Sequence, residues 1–135
     1  MYRKHIFFLL VCIVLTALVL TACGKDLTKS GEAVNLTGDP VAGKVIFDGY
    51  CKSCHGAEGV GGVVNPGSDD GTVPALNPID EEEFGSAVAI DLVIEHGSTP
   101  DGDETASKMP AFGDDGTLKP QQIADVIAYV LSINK

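Results

Sequence analysis

Cations are scarce in this chain: 9 Lys and Arg stand against 19 Asp and Glu over 135 residues, a formal net charge of −10. That shortage excludes nucleic acid as a partner, because phosphate backbones are held by Lys/Arg patches. It also excludes electrostatic anchoring on anionic lipid headgroups. Long apolar runs are missing as well. The longest, Ile6 to Leu20, has 15 residues, short of the ~20 that span a bilayer as a helix. Cysteine is limited to 4 residues, and Cys12, Cys23, His5 and His96 do not have the spacing that would complete a zinc site around Cys51 and Cys54. No Val/Ile-rich alternating strand precedes Cys51, so the strand-to-helix setting of a thioredoxin-like motif is absent too.

What is present is the pentapeptide Cys51-Lys52-Ser53-Cys54-His55. Its spacing is that of covalent haem c attachment. Two thiols can add across the two vinyl groups of one haem, and the adjacent histidine then lies beneath the iron as an axial ligand. A thiol-redox pair or half of a metal site remains the competing reading of the same residues.

The N-terminus carries a second signal. Arg3, Lys4 and His5 precede the 15-residue apolar run, a pattern that fits a secretory leader. The run closes in Leu20-Thr21-Ala22-Cys23, which resembles a bacterial lipoprotein box whose Cys is lipidated and becomes the mature N-terminus. A plain signal anchor with an incidental Cys23 is the bland alternative. The expected organisation is a signal peptide over 1–22, a lipidated Cys23 with a flexible tether over 23–38, and a folded domain over 39–135. The cysteines then divide into Cys12 in the discarded leader, Cys23 for lipid, and Cys51 and Cys54 for haem, with none left for a disulfide. Removal of Arg3 and Lys4 leaves 7 cations against 19 anions, a net charge of −12. Such acidity favours partners with basic docking patches. Residues 24–38 are polar with no apolar period, and a coil of that length reaches on the order of 20 Å.

Within the domain, Asp39-Pro40 suits a helix N-cap followed by a first-turn proline. Val41, Ala42, Val45, Ile46 and Tyr50 predict a helix over 40–54 running into the pentapeptide. Gly43 inside it costs about 1 kcal/mol relative to Ala, and a close helix–helix contact with Tyr129 covering it would justify that cost. Pro120 opens a second helix, with Ile123, Val126, Ile127, Val130 and Leu131 as its apolar stripe. Asp80 and Glu83 form a variant capping box for a helix over 81–96, with Phe84, Val88, Leu92 and Ile94 apolar, Gly85 a possible break and Gly97 the stop. Residues 56–79 show no convincing regular element, and 98–108 are acidic and turn-rich.

Beyond the leader there is a single methionine, Met109, in the Pro-stiffened run Met109-Pro110-Ala111-Phe112-Gly113. A thioether is a soft, uncharged ligand that favours ferrous iron and raises the potential, so Met109 is the expected second axial ligand. His96 is the rival, and its ordinary role is a helix-end histidine.

With these residues in place the chain resembles the class I monohaem cytochromes c over 39–133. The pieces that carry the likeness are Gly43-Lys44-Val45-Ile46-Phe47, Cys51 to Gly56, Val73-Pro74-Ala75-Leu76, Met109-Pro110-Ala111-Phe112 and the closing helix with Ala128-Tyr129. Together with Cys23 it is similar to the small lipid-anchored cytochromes c of bacterial respiratory chains. The resemblance implies an all-α fold of three to five helices around one covalent haem c, with the first and last helices crossing at Gly43 and Tyr129. It also implies a backbone carbonyl near Pro66 or Pro74 orienting His55. The function it implies is electron transfer by a carrier tethered at the outer face of a bacterial membrane, with no catalytic residues and no small-molecule substrate. Its partners would be a quinol:cytochrome c oxidoreductase, a terminal oxidase or a similar complex. The alternative is a cytochrome subunit fixed within a larger respiratory complex. A haem peroxidase or a gas or redox sensor would need an open iron position, which a Met109 ligand opposes.

Overall fold

A computed structural model describes His5 and residues 26–66, 68, 70–98 and 108–135. The leader's apolar run, Cys12, Cys23 and most of the acidic 98–108 segment lie outside the described residues. The described part is all-α. It comprises α1 (Pro40–Tyr50), α2 (Lys52–His55), α3 (Glu81–Phe84), α4 (Ala87–His96) and α5 (Pro120–Ile133), with single 3-10 turns at Glu32–Asn35 and Ala57–Gly59. Among the described residues the only β pairing is two isolated bridges, Val64 with Thr72 and Ser98 with Met109. No helix among them is long and apolar enough to cross a membrane.

The centre of the fold is the crossing of α1 and α5. The Asp39 carboxylate caps α1 by accepting from Val41 N at 2.8 Å, and Pro40 occupies the first turn. Gly43 is buried because a Cβ there would fall on the Asp125 carbonyl and stand 2.9 Å from the Tyr129 Cβ. One turn on, Phe47 is fully buried and packs against Tyr129 with ring centroids 5.2 Å apart at 56°, within the separation favoured by tilted aromatic pairs. This crossing turns the Gly43/Phe47/Cys51 edge of α1 inward. It leaves Val41 and Val45, expected in the apolar stripe, 75 % and 72 % exposed. The stripe of α5 is placed as its periodicity predicts, with Ile123, Val126, Ile127 and Val130 all buried.

The first helix is also shorter than expected. It stops at Tyr50, Cys51 (φ −108°, ψ −36°) makes the junction, and Lys52–His55 forms a separate turn. Gly85 divides the 81–96 region: Asp80 caps α3 through Glu82 N and Glu83 N, and Ser86 caps α4 through Ala89 N at 3.1 Å. The restart turns the helix so that Ile90, Asp91 and Ile94 face inward while Val88 is 48 % exposed.

Residues 26–38 differ most from their composition. In place of free coil, Ala33 is 2 % exposed in the core, and Gly31 N donates to the fully buried Asp91 carboxylate at 2.5 Å. Gln121 Nε2 donates to the Thr37 carbonyl at 3.0 Å. Gly38 packs so closely on α5 that a Cβ would collide with the Ala124 carbonyl. This segment lies along α4 and α5 as part of the folded body.

Candidate haem-attachment site

The short α2 turn presents the pentapeptide. Cys51 N donates to Phe47 O at 2.9 Å and His55 N to Cys51 O at 2.9 Å, so the turn is bonded directly onto the end of α1. Both thiols are free: Cys51 is buried against the core and Cys54 is exposed. Burial, and secondarily the neighbouring Cys54, pushes the Cys51 thiol up to about 11. It is therefore neutral at physiological pH, unlike a reactive redox thiolate.

His55 is held by the loop that follows. Its Nδ1 lies 3.3 Å from the Pro74 carbonyl, and because a carbonyl only accepts, Nδ1 carries the hydrogen. Nε2 is then the bare nitrogen, the one available to a metal. Burial holds the imidazole below its ordinary value, with the Pro74 carbonyl acting in the opposite direction. Pro74, not Pro66, supplies the carbonyl. The loop is tied back by Gly61 N to His55 O at 2.8 Å and by Leu76 N to Gly59 O at 2.7 Å.

Met109 is partly buried against the core cluster. Ser98 N donates to its carbonyl at 3.2 Å, and Phe112 just beyond it meets Tyr50 edge-on at 6.1 Å and 83°. That aromatic contact joins the methionine loop to the end of α1 ahead of Cys51, and spacing alone gave no sign of it. His96 is engaged elsewhere: Nδ1 pairs with Asp114 Oδ2 at 3.0 Å and Nε2 donates to the Lys29 carbonyl at 2.9 Å. With both ring nitrogens bonded, His96 has none to offer an iron.

These donors fit a haem c. The thiols are unpaired, the histidine has Nε2 bare and Nδ1 anchored, as metal-bound imidazoles do, and the only described methionine side chain lies in a braced loop. Val60, Val63 and Val64, just after His55, are 60, 36 and 75 % exposed, apolar surface suited to a large apolar ring. The competing readings find less support. The segment before Cys51 is a helix, not a strand, and no group of three or more His, Cys, Asp or Glu residues among the described ones could hold a metal ion.

Comparison with known proteins agrees with this geometry. The cytochrome c family model matches residues 40–134. The chain is 37% identical over 123 residues to the Cbb3-type cytochrome c oxidase subunit CcoP of Rhodobacter capsulatus, covering 89% of this chain and 37% of the relative. It is 34% identical over 119 residues to the CcoP of Cereibacter sphaeroides, covering 85% and 36%. It is 30% identical over 106 residues to the quinohemoprotein alcohol dehydrogenase ADH-IIG of Pseudomonas putida, covering 78% and 12%. The chain thus spans little more than a third of the oxidase subunits it matches. From its matched domain, its all-α fold and these relatives, the chain belongs to the cytochrome c family, as an electron-transfer protein carrying covalent haem c.

Proposed function

We propose that this chain serves as a haem-bearing electron-transfer subunit of a membrane-bound terminal oxidase complex. The observation that carries the reading is its alignment, over 85% and 89% of its own length, with proteins named as oxidase subunits. That alignment favours a fixed subunit over the free shuttling carrier that motif and leader make the first expectation. The tethered carrier remains the second reading, supported by the Leu20-Thr21-Ala22-Cys23 box.

In this proposal Cys51 and Cys54 would form the thioether links, and His55 Nε2 and the Met109 sulfur would hold the iron. The haem supplies a centre that takes up and releases a single electron. The protein's residues do the rest. Pro74 O fixes the His55 tautomer and ring plane, Cys51 is set into the core end of the site, and the Tyr50–Phe112 contact braces the methionine loop. Cys23 carries the lipid that holds the domain on the outer side of the bacterial membrane, and the acidic surface meets a basic patch on the partner.

The test uses the full chain matured with the haem c apparatus. Its reduced and oxidised absorption spectra are expected to show a sharp low-spin α-band and the weak ferric Met–iron band. Met109→Ala is expected to lose the ferric band and gain high-spin character. Affinity purification from mildly solubilised membranes is then expected to bring oxidase subunits down with it. Recovery of the cytochrome alone would return the shuttle reading to first place, whereas lipid on Cys23 by mass spectrometry is expected under both readings. A high-spin spectrum in the unaltered protein would remove Met109 from the site.

A further inference from the structure

Asn134, the C-cap of α5, uses every hydrogen-bonding position of its amide but one. Nδ2 donates to the Leu76 carbonyl at 2.7 Å and to the Val130 carbonyl at 2.8 Å, and Oδ1 accepts from Ile79 N at 2.8 Å. The orientation is fixed by the partners, since a flipped amide would set its oxygen against two carbonyls. One bond of this network goes to α5, at Val130, and two go to the loop over residues 74–79, at Leu76 and Ile79. Two residues before Leu76 in that loop is Pro74, whose carbonyl faces His55 Nδ1 at 3.3 Å.

The loop is gripped from two sides. On the near side, Leu76 N and Asn77 N both donate to Gly59 O at 2.7 and 3.0 Å, and Gly61 lies so close that a Cβ there would stand 2.7 Å from Ala75 N. On the far side, Asn134 bonds Leu76 and Ile79 from the C-terminal end of α5. The bond these grips determine is at the long end of the hydrogen-bond range, where a shift of a few tenths of an ångström changes its strength.

We propose that Asn134 is a positioning residue for the iron ligand His55, setting the Pro74 carbonyl's distance from Nδ1 and through it the reduction potential. The inference rests on His55 ligating the iron, as proposed above. A carbonyl accepting from Nδ1–H makes the imidazole a stronger donor, which favours ferric over ferrous iron. Loosening that bond therefore raises the potential.

The experiment measures the midpoint potential and the hyperfine-shifted His55 ring resonances of the oxidised, matured full chain, alongside its thermal midpoint. Asn134→Ala is expected to shift the potential upward and to move the His55 ring signals. Asn134→Leu, which keeps the size of the side chain but neither donates to the two carbonyls nor accepts from Ile79 N–H, is expected to give the same upward shift and serves if the alanine variant does not mature. Gln121→Ala, which removes bonds at the opposite end of α5 to Thr37 O and Asp125 Oδ1, is expected to lower the thermal midpoint without moving either signal. A lowered thermal midpoint with unchanged potential and unchanged His55 resonances in the Asn134 variants would overturn the positioning role. The ligation reading fails separately, if His55→Ala retains a low-spin spectrum like that of the unaltered chain.

Discussion

Gly43 and Gly49 lie on the same helix and differ in what a methyl group would meet. At Gly43 it meets the Asp125 carbonyl and the Tyr129 Cβ, whereas at Gly49 it meets nothing within 4 Å. The same substitution is therefore expected to have opposite signs. Gly43→Ala must push α1 off α5 and is expected to destabilise by about 1–3 kcal/mol, the usual cost of overpacking. Gly49→Ala removes backbone freedom from the unfolded chain at a site of α1 with room for it, and is expected to stabilise by about 0.5–1 kcal/mol. Denaturant titration of the two matured variants checks both, and equal shifts of the same sign would contradict the close crossing. The sequence carried the essential part of this contact, because a glycine in a helix opposite an aromatic residue has few other reasons to be there. It did not carry the helix face. Val41 and Val45 fit an apolar period as well as Phe47 does, and only the approach of α5 decides which edge is covered.

Among the elements, the 26–38 segment and α4 form a unit whose hold depends on pH. His96 pairs with Asp114, and together with the Lys29 carbonyl this holds the imidazole above its ordinary value. Asp26, Asp91 and Glu95 also face it with negative charge. A folded value raised above the unfolded one means that the contribution is complete below about pH 6.5, the ordinary imidazole value, and is lost as pH climbs through the folded value. Burial holds the Asp91 carboxyl above its usual range, so its effect on stability runs in the same direction at lower pH. Amide exchange of residues 29–36, corrected for intrinsic rates, is expected to quicken between about pH 6 and about pH 8. In His96→Asn that step is expected to vanish. Composition could not reveal this element: one buried alanine, one backbone N–H on a buried carboxylate and one glycine against a helix backbone leave no periodic trace. The caps, by contrast, were legible. Asp39-Pro40, Asp80 and the break at Gly85 act through neighbours two or three residues away, and local sequence records local bonds. The choice of Pro74 over Pro66 depended on where a loop returns, which spacing does not encode.

For the molecule as a whole, the field of a chain with net charge −10 governs encounter with a cationic partner. Exposed charges interact over a Debye length of ~10 Å at 0.1 M salt. The second-order rate of electron transfer to a basic redox partner is expected to fall by about tenfold or more between low and high ionic strength, as stopped-flow mixing would read. A rate indifferent to salt would mean that the acidity serves solubility alone. The family and the all-α architecture were visible in the sequence because the haem motif, the lone methionine and two end helices are each compact in sequence. The brace that connects them was not, since Tyr50–Phe112 and Asn134–Leu76 join residues about sixty positions apart.

The docked 26–38 segment bears on how such a domain finds what it reacts with. A coil's mean span grows as about 5–6 Å times the square root of its residue number, and the volume searched grows with the cube of that span. Residues laid against α4 and α5 no longer contribute slack, so a domain mounted through its N-terminus explores a small hemisphere. Inside it the local concentration of a neighbour is high, and outside it contact is nearly forbidden. For a protein held this way, partner choice is made by where it is mounted before any surface is compared.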